Sequence, residues 1–155
     1  MSASYVILTA AVVLSQLCRI QIMSHSPRTL KVIDRALESR SQRARWQAAI
    51  ALGEFVASDP ERVCPLVVKH GSRRHADVRM AIATCVLEHL LELHFNTFFS
   101  RIENAARSSF WFAATTGSCW QMGQAELPQN ASRWRRLMSG LRPTRCTHEI
   151  KRRQK

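Results

Sequence analysis

Ala44-Arg45-Trp46-Gln47-Ala48-Ala49-Ile50-Ala51-Leu52-Gly53-Glu54-Phe55 is the stretch on which the reading of this chain turns. It has a degenerate echo in Val78-Arg79-Met80-Ala81-Ile82-Ala83-Thr84-Cys85-Val86-Leu87-Glu88-His89, offset by 34 residues. Each copy sets an arginine after a small or branched apolar residue, runs through apolar residues and reaches a glutamate. Each is preceded by a helix-length apolar segment and a polar turn. Self-similarity at such a period implies stacked helical units, and stacked units commonly bind a partner.

Working outward from the first copy, Leu30, Ile33 and Leu37 are spaced for one helical face, with Pro27 where a first turn tolerates it. Residues 39–42 read as a polar turn, and the central helix is expected over 42–57. Ser58, Asp59, Pro60 and Glu61 signal the next helix start, and Lys69, His70 and Gly71 its end, with Gly71 as a C-cap. Asp77 opens a long apolar helix to about Leu93. Further helices are expected over 95–107, 110–122 and 129–139, the 110–122 helix weakened by Gly117 and two threonines. Small residues at Ala48, Ala49, Ala51 and Gly53 admit a close neighbour, while Trp46, Ile50 and Phe55 fill gaps. No strand alternation or hairpin turn is present, so the class is all-α.

With 155 residues the chain suffices for one domain with a sizeable core. Three segments are expected: an apolar extension over 1–22, a helical domain over 23–139 and a basic tail over 140–155. The extension has no charged residue before position 19. It is short and interrupted for a membrane span and has no basic start for a signal peptide. We read it as an upstream extension, with Met23 as the working start, ahead of a docking helix or a marginal anchor. The five cysteines (Cys18, Cys64, Cys85, Cys119, Cys146) are odd in number and never form a CxxC pair, which fits free thiols in a cytoplasmic setting.

The net charge of +12 is unevenly spread, with nine basic against two acidic residues after position 107. Its two blocks are Arg133, Arg135 and Arg136, then Lys151, Arg152 and Arg153. Trp134 alone interleaves with the first, so any nucleic-acid contact would be backbone neutralisation without sequence reading.

At Arg45, Ala48-Ala49 and Ala51-Leu52-Gly53, and again at Val78-Arg79, the chain resembles HEAT repeats, in particular small bacterial HEAT-repeat proteins of unassigned function. The second helix of that family runs Asp, two residues, Val-Arg, two residues, Ala-Ala, one residue, Ala-Leu-Gly. Ser41 replaces the aspartate in the first copy, and Asp77 is displaced beside Val78 in the second. The tetratricopeptide repeat shares the 34-residue period, but Trp46 lies six residues before Leu52 and so misses its signature. The resemblance implies a short α-solenoid of about three antiparallel hairpins with a C-terminal capping helix. It also implies that Arg45 and Arg79 join a ladder with acids of neighbouring units, Asp77 being the available one. Trp46, Gly53, Arg45, Asp77 and Arg79 are thus expected to be structural.

The expected function is a protein-interaction module without catalysis, binding an unidentified protein through Arg43, Gln47, Glu54, Thr84 and Glu88. The alternative is weak, non-specific nucleic-acid binding through the two basic blocks; a membrane enters only if residues 1–22 form an anchor. No cofactor or metal is expected. His89 and His94 are five residues apart and share no helical face, so they fit no zinc motif, and His70 and His75 read as solvated. HEAT-like folds include DNA glycosylases, but no catalytic acid carries over to this sequence.

Overall fold

The computed structural model describes residues 27–141, which are all-helical, with no strand among them. Helix α1 (Pro27–Ala36) buries Leu30 and Ile33 on one face, and Leu37 follows them inside. Helix α2 (Gln42–Gly53) starts where the Ser41 hydroxyl accepts the Ala44 N–H at 3.4 Å. It stops at Gly53, four residues short of the expected end, because the chain turns over 54–58 to bury Phe55 and Val56.

Helix α3 (Pro60–Gly71) follows, with Pro60 in its first turn and Asp59 at the N-cap position. Gly71 is no left-handed cap, since only Gly123 among the described residues has positive φ. It is the last residue of α3, where a Cβ would lie 2.8 Å from the Phe112 ring.

Helix α4 (Ala76–Ile82) runs into a π-helical turn (Ala83–Leu87) and on into α5 (Glu88–Ser108). Non-helical backbone at His94 (φ −136°, ψ 33°) kinks α5 into the two helices expected from sequence. The kink leaves backbone groups without intrahelical partners, and Gln124 supplies them. Its side chain accepts the Phe95 N–H at 3.0 Å and donates to the Leu93 carbonyl at 2.5 Å. Helix α6 (Phe110–Thr116) is capped by Ser109 and ends before Gly117, well short of Met122. A 3-10 turn (Gly123–Glu126) and α7 (Pro128–Gly140) complete the described chain.

Ser41, His75 and Ser109 hold the extended residue before α2, α4 and α6, so the three helix starts recur every 34 residues. The first backbone bond repeats with them: Arg45 to Ser41, Arg79 to His75 and Ala113 to Ser109. Helix α2 packs on α1, on α4 and on the π turn, and α4 packs in turn on α3 and α6. The core between them is dominated by Leu52, Ile82, Leu87, Phe95, Phe99 and Phe112, with Phe95 and Phe99 stacked at 4.3 Å. Trp46 is half-buried against this core, whereas Ile50, expected to fill a gap, is 54% exposed. No helix of the described residues is long and apolar enough to cross a membrane.

Gly53 meets the carbonyl of Cys85 in the π turn so closely that a Cβ there would collide with backbone. Backbone cannot swing aside as a side chain can. Gly53→Leu is therefore expected to lower stability by about 1–3 kcal/mol through overpacking. Even Gly53→Ala should destabilise, although alanine favours helix by about 1 kcal/mol. Urea unfolding of both variants checks this; a neutral Gly53→Ala would disprove the close approach.

Candidate interaction face

Two arginines fix the frame on which the face is built. The Arg45 guanidinium donates to the carbonyls of Ser39 (2.7 Å) and Arg40 (2.9 Å), bridging the turn before its own helix. Its other edge donates to Asp77 at the start of α4, from Nε at 2.7 Å and from Nη2. Burial alone would raise the Asp77 carboxyl, but Arg45 outweighs it and holds the group below its ordinary value. Arg79 repeats the turn bridge 34 residues on, donating to Arg73 (3.0 Å) and Arg74 (2.7 Å). Where the next aspartate would fall stands Trp111, and Arg79 lies 4.6 Å above its ring. The third position of the arginine series is Ala113.

A second node joins α1 to α3. Asp34 accepts two bonds from the Lys69 ammonium (2.7 and 2.9 Å) and contacts His70 Nε2 at 2.6 Å. Glu38 pairs with Lys69 and with Arg73. His70, read from sequence as solvated, is fully buried, and its Nδ1 has no partner. Its apolar neighbours in α3, Val63 and Val67, share the buried side of the helix. Oxygens of Asp34 and Glu38 and a nitrogen of His70 lie within 4.8 Å of one another. The Lys69 ammonium already supplies positive charge to both carboxylates, so this cluster works as a salt-bridge node between helices.

The exposed face lies between α2 and the α4–π–α5 run. Arg43, Gln47, Ile50 and Glu54 are all exposed and spaced by four, three and four, forming one stripe along α2. Opposite it stand Thr84, His89 and Leu93. Thr84 is half-buried and donates to the Met80 carbonyl at 3.0 Å. Between the stripes is an open groove of about 380 Å³, lined by Ile50, Gly53, Glu54, Cys85, His89 and Leu93 among others.

Glu88, expected on this face, is instead 8% exposed, and its carboxylate accepts the Trp120 N–H at 2.8 Å. The π turn accounts for the change. It adds one residue to the helical repeat, so the position following Thr84 on the outer face moves from 88 to 89. No 34-residue count contains that extra residue.

The histidines considered for a metal separate. His89 Nδ1 contacts Glu92 at 2.9 Å in the groove wall, whereas His94 Nε2 faces the Val56 carbonyl at 3.1 Å. The first basic block is divided as well. Arg133 lies over Phe99 (4.8 Å) and Phe95 (5.6 Å), Arg135 bonds within its own helix, and Arg136 is exposed. Lys151, Arg152 and Arg153 fall outside the described residues. Burial pushes the Cys119 thiol up, and its Sγ donates to the Ala83 and Thr115 carbonyls.

Two outcomes follow from these nodes. Arg45→Ala should cost about 1.5–3 kcal/mol, the range for hydrogen bonds to charged groups. Arg45→Lys should recover less than half, since one ammonium cannot bridge two carbonyls and a carboxylate; denaturant titration of both variants checks it, and full recovery by lysine would refute the bridging role.

The second outcome is a pH dependence. Burial outweighs Asp34 and lowers the His70 pKa below 6.5. The unfolded chain then takes a proton that the folded chain refuses, so this contribution is full above pH 6.5 and shrinks below it. Burial works to raise Asp34, but Lys69 and His70 outweigh it and hold the carboxyl below 3.8. Its contribution is full above that pH and is lost as pH falls through the depressed value. Unfolding measured from pH 7.5 to 3 should show two stages, and His70→Gln should flatten the first. An unchanged slope between pH 6.5 and 5 in that variant would contradict the assignment.

Compared with protein-family models, curated proteins and solved structures, the chain matches none, so its function is read from this geometry.

Proposed function

We propose that the chain is a short solenoid of HEAT-like helical hairpins that acts as a protein-interaction module, without catalysis of its own. The pairing is α1 with α2, α3 with the α4–π run, and the second half of α5 with α6; α7 caps the end. The 34-residue recurrence of helix starts supports this, as do the arginine bridges built at matching positions. The single observation that carries the interaction reading is the solvent-facing stripe of α2 beside the groove. There Ile50 and Leu93 are 54% and 43% exposed, although the core next to them is closed. Apolar side chains kept on the rim of a groove suit partner binding. The partner surface comprises Arg43, Gln47, Ile50, Glu54, Thr84 and His89.

The competing nucleic-acid reading has less support, since Arg133 is spent on Phe99 and Arg135 on its own helix. A pulldown with the full chain, with and without nuclease, separates the two. A nuclease-insensitive partner should be retained by the wild type and lost by Ile50→Ser combined with Leu93→Ser. Nuclease-sensitive capture, or equal capture by that variant, would refute the proposal. Both side chains are exposed, so the variant should keep its melting temperature, which is measured alongside.

A further inference from the structure

We infer that the groove between α2 and the π turn takes a peptide segment in which a lysine or arginine is flanked by branched apolar side chains. This rests on reading that face as an interaction surface and adds the chemistry of its partner. The chain carries 23 basic against 11 acidic residues, yet among the described residues neither a lysine nor an arginine lines this groove. What lines it is Glu54, with His89 held by Glu92 in the wall.

Most carboxylates elsewhere in the described chain are already engaged. Asp34, Glu38, Asp59, Glu61, Asp77 and Glu103 each pair with a cation, and Glu88 takes the Trp120 amide. Among the carboxylates of the described residues Glu54 and Glu126 alone have no side-chain hydrogen bond or ion pair, and of these two only Glu54 lines the groove. Arg43 stands on the same stripe but eleven residues away, about 16 Å along the helix at 1.5 Å per residue. The groove end of the face is therefore locally acidic on a basic protein. A cation arriving there neutralises an unpaired carboxylate, while Ile50 and Leu93 on the rim cover its apolar flanks.

The geometry also favours a slender occupant. Gly53 and the Cys85 carbonyl touch at the floor, so the helices approach too closely for a bulky element to wedge between them. A side chain can enter from above; a helix can only lie across the rim. That matches one inserted aliphatic cation with neighbours spread over Ile50 and Leu93.

The test uses the full chain and three fluorescein-labelled 14-residue peptides of leucine with lysine, leucine with glutamate, and serine with lysine, read by anisotropy near physiological salt. The leucine–lysine peptide should bind about tenfold or more tighter than either control, a difference of about 1.4 kcal/mol. Glu54→Lys and, separately, Ile50→Ser should each weaken it by a similar factor, whereas Arg135→Glu on α7 should leave it unchanged. Circular dichroism confirms that each variant is folded. Failure of the leucine–lysine peptide to bind up to millimolar concentration overturns the inference. Tighter binding of the leucine–glutamate peptide, weakened by Ile50→Ser, overturns the charge assignment and leaves the interaction face standing. Leucine–lysine binding that neither variant weakens places the contact elsewhere and overturns both.

Discussion

Everything in this fold hangs on a guanidinium that is satisfied on two sides at once. Arg45 closes the turn behind it by bonding two of its carbonyls, and it reaches forward to the carboxylate that opens α4. A turn's carbonyls and a helix's first acid are separately poor anchors, because water solvates both. Joined through one planar, permanently charged group they fix the angle of one unit against the next. Buried ion pairs contribute little by attraction alone, since desolvation offsets it. Here the side chain is held by backbone oxygens as well, and the gain is in orientation.

How far the sequence made this legible depends on the residue. Helix starts are legible where a proline marks the first turn, as at Pro27, Pro60 and Pro128, a local signal that acts within one turn. The 34-residue spacing is readable in two copies, and the third start, expected at 110 from the aromatic run that begins there, falls on the same count. Helix ends are less legible. Helix α2 ends early because Phe55 and Val56 gain more by turning into the core than by continuing, a tertiary effect invisible in composition. Ile50 looked like core and lies outside, since period alone does not say which side of α2 meets its neighbours. His70 looked solvated between Lys69 and Gly71, but Asp34 on another helix gives it a buried partner.

The misplacement of Glu88 shows how a single inserted residue spoils an otherwise sound count. Five residues wound as π shift every later side chain on that helix by about a third of a turn. Glu88 goes inward to an amide and His89 comes outward to the groove. The same wide turn carries the Cys85 carbonyl to Gly53, so the absent side chain on one helix and the extra residue on the other are two halves of one contact.

The replacement of an aspartate by Trp111 in the series has a consequence for how the molecule comes apart. The seam between the first and second 34-residue units is sewn with ions: Asp34 with Lys69, Glu38 with Arg73, Arg45 with Asp77. The next seam has fewer ion pairs: an aromatic face under Arg79, Phe112 against Gly71, the Thr115 hydroxyl on the Gly71 carbonyl at 2.7 Å and the Glu88 carboxylate on the Trp120 amide, with one exposed pair, Arg101 and Glu61. Dissolved salt screens the first kind of stitch far more than the second. The two seams thus differ in durability. Brine would unpick it from the amino-terminal side, and the aromatic half would be the last to let go.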